Sequence, residues 1–516
     1  MPPILSSFVD GQPLRGAAST ISSVNPARLD DVVAEVSLAS EDQIALAFAA
    51  AKKAQAGWAQ TPAPQRGRVI AAVGKLVEAN KEALAALVTR EVGKPYAESL
   101  GEVQEIIDTC DFFLGEGRRL YGHTVPSEMR DKQLFTFRVP VGVAGIVTAG
   151  NFPVAVPAWY LVPALLCGNS VVWKPAEYAA ALGDALTRLF VAGGVPRGVL
   201  NTVHADGATT YRGLERALEA GLLNKIGFTG STEIGRRIGE LAGRHLQTPC
   251  LELGGKNPLV VMPDADLDLA AEGALFSGFG TAGQRCTSLG VAIVHDSVYD
   301  AFVSRFVQRV ESAIIGDPTH KGVLYGPLLS QRFLESFEHW LGHIASHQEV
   351  HGSTGRGRIT AKNPRPGFVG DPDKGIFVHP TIVTGVRAED ALYRNETFGP
   401  LVSVMRFSSF EEAIELANGH GYGLSSAIYT NNPAHAFRFR ERVSAGMVSI
   451  NNSTSGAEAH LPFGGNGKSG NGSRQSGVWV LDQFTRWQSM NWDYAGKLQK
   501  AQMDIEEVTV DSGFRL

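Results

Sequence analysis

Between Val141 and Trp173 the chain carries no charged residue. A run of that kind is buried either in a bilayer or in a protein core. A membrane-spanning helix needs about 20 unbroken apolar residues, and here Gly142, Gly145, Asn151, Pro153, Pro157, Pro163, Gly168 and Asn169 cut the run into short pieces. Breakers at that density favour a strand over 143–148, a loop, a helix and a second strand over 171–173. The chain is therefore read as having no membrane span and a covered sheet at this point.

The same alternation continues on both sides. Strands are predicted over 145–148, 170–173, 200–203 and 225–228 with helices between them, the pattern of a parallel sheet with crossover helices. Upstream, Ser40 with Gln43 forms a capping box for a helix running towards Trp58. Further helices are predicted over 66–90 and 97–116. After Gly255 the pattern restarts: strand 259–262, helix 267–279, strand 291–295, helix 297–314. A domain boundary is placed near Leu253, in keeping with two or three domains for 516 residues. Residues 133–140 alternate as a β-ribbon would. With the tail 478–492 they are expected to form an exposed sheet that pairs with another subunit.

Composition removes several function classes. A net charge of -5 and the lack of a basic stripe give no support to nucleic-acid binding. The four cysteines, Cys110, Cys167, Cys250 and Cys286, have no metal-ligand spacing, so no metal site is expected. Reduced thiols and an N-terminus without a basic, then apolar, leader favour a cytoplasmic enzyme.

Chemistry concentrates in a few motifs. Gly280-Thr281-Ala282-Gly283-Gln284-Arg285-Cys286-Thr287 places a cysteine beside a guanidinium, and a neighbouring cation eases formation of the reactive thiolate. Upstream lies Leu251-Glu252-Leu253-Gly254-Gly255-Lys256. A cysteine nucleophile with a carboxylate base suits the making and hydrolysis of a thioester. Phe228-Thr229-Gly230-Ser231 follows a predicted strand and opens a helix, where free N–H groups would face a phosphate; an ordinary glycine turn is the competing reading. Trp173-Lys174-Pro175-Ala176-Glu177 ends another strand. There Lys174 and Glu177 could bind ribose hydroxyls, the acidic group favouring NAD over NADP, or could form a plain surface pair. The other three cysteines read as small core hydrophobes.

Taken in order, Asn151-Phe152-Pro153, Trp173 to Glu177, Phe228 to Ser231, Glu252 to Lys256, Gly283 to Cys286 and Glu396-Thr397-Phe398-Gly399-Pro400 resemble the aldehyde dehydrogenase superfamily over essentially the whole chain. The resemblance implies an α/β fold with a Rossmann-type NAD-binding domain (1–125 and 146–253) and an α/β catalytic domain (254–450). A small β oligomerisation element (126–145 and 478–500) completes it, in a homodimer or homotetramer. It implies Cys286 as nucleophile, Glu252 as base and Asn151 as oxyanion donor. Cofactor contacts would come from Lys174, Glu177, Gly230, Ser231, Glu396 and Phe398, with NAD as cofactor and NADP as the alternative.

Finer details resemble the antiquitin-like, α-aminoadipic semialdehyde dehydrogenase branch: Gly101-Glu102-Val103-Gln104-Glu105, Val323 to Leu328 and Thr454-Ser455-Gly456-Ala457-Glu458. In that branch Arg285 with the Gly456-Ala457 backbone would grip a distal carboxylate. Glu105 would meet an amino group, and Phe152, Trp159 and Phe463 would line the aliphatic section. Arg285 could equally tune Cys286 or make a structural ion pair, and Glu105 could be a helix-surface charge. Lys174 to Glu177 and Gly254 to Pro258 look instead like broad-range enzymes, and the chain end from Trp487 to Leu516 departs from the antiquitin-like branch. A generic aliphatic or aromatic aldehyde is the second substrate reading, and a catalytically silent binding or structural relative is the reading from another class.

Overall fold

The computed structural model describes residues 1–505 and 507–516. Two seven-stranded sheets carry the molecule. The first runs Cys250–Glu252, Lys225–Thr229, Val143–Val147, Ser170–Lys174, Leu200–Thr202, Ser7–Val9, Gln12–Leu14. Its first five strands are parallel, and the N-terminal hairpin closes the far edge antiparallel. The uncharged run supplies two central strands and the helix Ala155–Leu166 between them, all twelve of whose residues are buried. At 1.5 Å per residue that helix spans about 18 Å, well short of a bilayer core. No helix among the described residues is long and apolar enough to cross a membrane.

The second sheet runs Glu349–His351, Thr381–Thr384, Leu401–Phe407, Leu289–His295, Asn257–Val261, Ser425–Tyr429, Met447–Ile450. Only Glu349–His351 is antiparallel to its neighbour. The chain thus leaves one sheet at Glu252 and enters the other at Asn257. Helix Leu267–Phe279 starts under Asp266, whose carboxylate accepts the Asp268 and Leu269 N–H groups.

Several expected elements differ in extent. The helix predicted over 66–90 is two, Ala63–Ala79 and Lys81–Val92. Asn80 leaves helical geometry (φ -113°, ψ 15°), and its amide donates back to the Leu76 carbonyl at 2.7 Å. The capping box at Ser40 and Gln43 is present, and the helix it opens extends over Glu41–Gln60. The ribbon pairs Lys132–Pro140 with Thr485–Asp493, from Thr485 opposite Pro140 to Asp493 opposite Lys132. Thr124–Val125 adds a third strand. The ribbon is shorter than the expected 126–145 and 478–500: Val143–Val147 belongs to the first sheet, and Val478–Phe484 is helical. Phe137, Trp487, Met490 and Trp492 stand exposed on this ribbon.

Candidate active site

Four parallel strands of the first sheet end together, at Val147, Lys174, Thr229 and Glu252. The second sheet presents the opposite polarity, so that Asn257, Leu289, Leu401 and Ser425 begin strands. Residues just beyond the first ends and just before the second starts include Asn151, Glu252, Cys286, Glu396 and Phe398. The carboxyl edge of an open parallel sheet is where ligands ordinarily bind.

Cys286 is half-buried, whereas Cys110, Cys167 and Cys250 are buried outright. Its loop is fixed from several sides. The Asn257 side-chain amide donates to the Cys286 carbonyl at 2.8 Å and to the Ser288 carbonyl at 2.7 Å. The Thr454 hydroxyl donates to the Thr287 carbonyl at 2.7 Å, which ties the 453–457 loop to the nucleophile. The Asn151 amide donates to the Gln284 carbonyl at 2.9 Å. That amide and the Cys286 N–H therefore lie in one neighbourhood, as an oxyanion pocket requires. Gly283 (φ +67°) is where the loop passes Gly399; a Cβ would come 2.2 Å from the Gly399 carbonyl oxygen.

Glu252 is fully buried, and neither carboxylate oxygen has a hydrogen-bond partner. Burial lifts its pKa well above the carboxylate range, and the neighbouring Cys286 side chain offsets only part of that. The Cys286 thiol is likewise pushed well up, first by burial and then by the Glu252 and Glu396 carboxylates. This corrects the expectation of a thiolate eased by Arg285. The Arg285 guanidinium is committed elsewhere, to the Glu98 carboxylate and, at 3.2 Å, to the Thr281 hydroxyl. Burial disfavours the charged form of both the Glu252 carboxyl and the Cys286 thiol, and a positive charge brought beside them would favour it.

Lys174 and Glu177 form an ion pair at 2.9 Å, with Lys174 buried and Glu177 half-buried. Ser231 caps helix Thr232–Arg244 by accepting the Ile234 N–H at 3.4 Å. The Gly230 N–H donates to the Glu252 carbonyl at 3.0 Å, so an anion here would meet the helix's positive end and not that amide. Glu396 accepts the Gly255 N–H at 3.0 Å, and its carboxyl, pushed up by burial to about 7, packs so close that a Cβ on Gly254 would sit 2.0 Å from it. Phe398 (φ +42°) continues a row of rings, 5.6 Å from Phe333, which lies 5.8 Å from Tyr178. A buried lysine paired with a half-buried carboxylate, a helix N-terminus, a recessed carboxylate and an aromatic row fit a dinucleotide with its hydroxyls, phosphates and rings.

Of the expected substrate residues, Trp159 and Phe463 pack at a tilt of 43° with ring centres 4.5 Å apart, and share an apolar cluster with Phe152, Ala457 and Cys286. Glu105 and Ala457 line a cavity of about 340 Å³ with Gly101, Asp108, Phe112, Glu458, Ala459 and His460. Gly456 is exposed at φ +138°, beside that lining. Glu105 Oε1 is buried without a partner. Burial, and then the Glu102 carboxylate, raise Glu105 to about 8.

Sequence reasoning passed over Asn257, Gln284, Thr454, Glu98 and the buried Lys94–Glu102 pair. Glu102 accepts the Val154 N–H at 2.8 Å and the Ala155 N–H at 3.2 Å, and Lys94 Nζ sits 3.5 Å over the Phe152 ring. The one available signal was Asn257, adjacent to the Gly254-Gly255-Lys256 segment.

A half-buried cysteine and a buried carboxylate near an amide donor, at the carboxyl edge of an open parallel sheet, are the groups that an acyl–thiol chemistry would use. The aldehyde dehydrogenase family model matches residues 14–490. The α-ketoglutaric semialdehyde dehydrogenase of Bacillus subtilis (strain 168) is 34% identical over 480 residues, covering 93% of this chain and 96% of that one. Aldehyde dehydrogenase family 7 member B4 of Arabidopsis thaliana is 34% identical, covering 96% and 95%. Betaine aldehyde dehydrogenase of Staphylococcus aureus, solved in complex with NAD+, superposes with a TM-score of 0.90 at 28% identity, covering 96% of each chain. The chain belongs to the aldehyde dehydrogenase family, and it has that family's α/β fold.

Proposed function

We propose that the protein oxidises an aldehyde carrying a distal amino group to the carboxylic acid, with NAD as acceptor and α-aminoadipic semialdehyde as the foremost substrate. The observation that carries the substrate reading is Glu105 Oε1, buried without a partner in a cavity that also holds Asp108 and Glu458. An unpaired buried carboxyl oxygen is costly unless a cation or donor meets it. A substrate ammonium supplies that partner.

Cys286 Sγ, having given its proton to solvent, bonds the aldehyde carbon. The new alkoxide is held by the Asn151 amide and the Cys286 N–H. NAD, held by Lys174, Glu177, Glu396 and Phe398, would supply the hydride acceptor, and loss of that hydride would leave the acyl group on the Cys286 sulfur as a thioester. Glu252, having released its proton, takes one from water as the hydroxyl bonds the acyl carbon. The C–S bond breaks, freeing the acid and the Cys286 thiolate. Glu177, paired with Lys174 near the expected ribose, favours NAD because a carboxylate repels a 2′-phosphate. The intact set of Asn151, Glu252 and Cys286 weighs against a silent relative.

A second reading, a broad-range enzyme, rests on Arg285. Its pairing with Glu98 leaves no unpaired guanidinium for a substrate carboxylate. The two separate by measuring kcat/KM with NAD, and with NADP, for α-aminoadipic semialdehyde, α-ketoglutaric semialdehyde, hexanal and benzaldehyde. The amino substrate should lead, and Glu105→Gln should lower its kcat/KM about 10- to 100-fold, the worth of a charged hydrogen bond, with hexanal unchanged. Glu105 is neutral below about 8, so KM for the amino substrate should fall as pH rises through that value. Equal losses for hexanal would return Glu105 to a structural role.

We also propose that the protein is a homo-oligomer. Thr485–Asp493 is an edge strand with exposed apolar side chains, and Met447–Ile450 is an unpaired edge of the second sheet beside exposed Phe437 and Ile450. Edges of this kind recruit another strand. Light scattering should give a multiple of 55.1 kDa, and Met490→Asp should return it to the monomer mass; a wild-type monomer ends the proposal.

A further inference from the structure

One helix, Tyr96–Arg119, carries three carboxylates at spacings that place them on one face: Glu98, Glu102 and Glu105. Each reaches a different part of the site. Glu105 meets the cavity and Glu102 holds the first N–H groups after the Asn151 loop. Glu98 reaches the nucleophile loop, 183 residues away in sequence.

Its contacts there are specific. Glu98 Oε1 accepts the Thr281 N–H at 3.2 Å, and Oε2 accepts the Thr281 hydroxyl at 2.5 Å and the Arg285 guanidinium. They close around an unfavourable piece of backbone. Thr281 (φ +52°), Ala282 (φ +54°) and Gly283 (φ +67°) are left-handed in succession, and only the third is glycine. Left-handed non-glycine residues persist only where surrounding contacts hold them, and they gather at functional sites. Immediately after the turn the chain places the Gln284 carbonyl on the Asn151 amide, and two residues later it reaches Cys286.

We propose that Glu98 is a positioning residue: it clamps the 281–283 turn through Thr281 and Arg285 and so sets the pose of Cys286 against Glu252 and Asn151. The proposal rests on Cys286 being the nucleophile. It also gives Arg285 a task inside the protein, as the second jaw of the clamp.

The test uses the full-length enzyme with Glu98→Ala and Thr281→Val, the latter deleting the hydroxyl that donates to Glu98 and accepts from Arg285. Glu98→Ala should lower kcat about 100-fold, the effect of displacing a reacting group by about an ångström, with KM and NAD affinity within about twofold. Freed from the Glu252 and Glu396 carboxylates that push it up, the Cys286 thiol should be alkylated by iodoacetamide with a pH midpoint about one unit lower. Thr281→Val should move both readouts the same way, about fivefold in kcat, and decides the matter if Glu98→Ala does not fold. Unchanged kcat and an unchanged alkylation midpoint overturn the proposal, as does a loss shared equally by NAD affinity and thermal stability. If Cys286→Ser retains turnover, it is the nucleophile reading that fails, and that result is independent of both Glu98 readouts.

Discussion

Glu252→Gln is expected to produce one equivalent of NADH per active site in a burst and then almost stop. In the proposed mechanism the first half of the reaction needs the Cys286 sulfur and an acceptor for the hydride. The second half needs a base for water, and Glu252 is the fully buried carboxylate beside Cys286 with both oxygens unpartnered. Glu396 is not a ready substitute, since it is held on the Gly255 N–H. General-base loss costs about 10²- to 10⁴-fold, so steady turnover should fall by about a thousandfold while the burst survives.

The sign of the pH dependence is set by the same burial. Glu252 is lifted well above the carboxylate range, so it is protonated at low pH and useless as a base there. Wild-type kcat should therefore rise with pH as the carboxyl ionises, and this limb should vanish in Glu252→Gln. Stopped-flow absorbance at 340 nm reads both burst and steady rate. A glutamine variant that turns over within tenfold of wild type would remove Glu252 from the hydrolytic step.

The parts of the candidate site that were legible in the sequence are those whose chemistry is local. Glu252, Cys286 and Glu396 each sit in a glycine-marked segment because backbone or side chain must pass closely there, as Glu396 does against Gly254. The uncharged run could be read as sheet, helix and sheet because its breakers punctuate it. Glu98 and Asn257 were not legible, because what they do depends on partners 183 and 29 residues away. Arg285 marks the boundary. Its adjacency to Cys286 suggested help for the thiolate, yet tertiary packing gave it to Glu98. Asn80 is the backbone counterpart: periodicity continues across it, and a side-chain bond to Leu76 decides that the helix stops.

Cys286→Ser should abolish aldehyde oxidation, by at least about 10⁴-fold as for other lost nucleophiles, while NAD still binds. A serine hydroxyl in this setting cannot ionise, since even the more acidic thiol is pushed well up by burial and two carboxylates. Selective alkylation should track access more than acidity. Cys110, Cys167 and Cys250 are buried, with pKa values raised chiefly by burial, whereas Cys286 is half-buried at the site mouth. Iodoacetamide should label Cys286 alone, slowly at pH 7 and faster as pH rises, and NAD should accelerate it because the oxidised nicotinamide brings a positive charge to the thiol. Peptide mapping by mass spectrometry checks the site, and the serine variant should lose the label together with activity. Fast labelling at pH 7 without NAD would mean that the resting thiol is already ionised. Glu252 would then have to carry the proton in the resting enzyme, and the rise of kcat with pH would trace that single group.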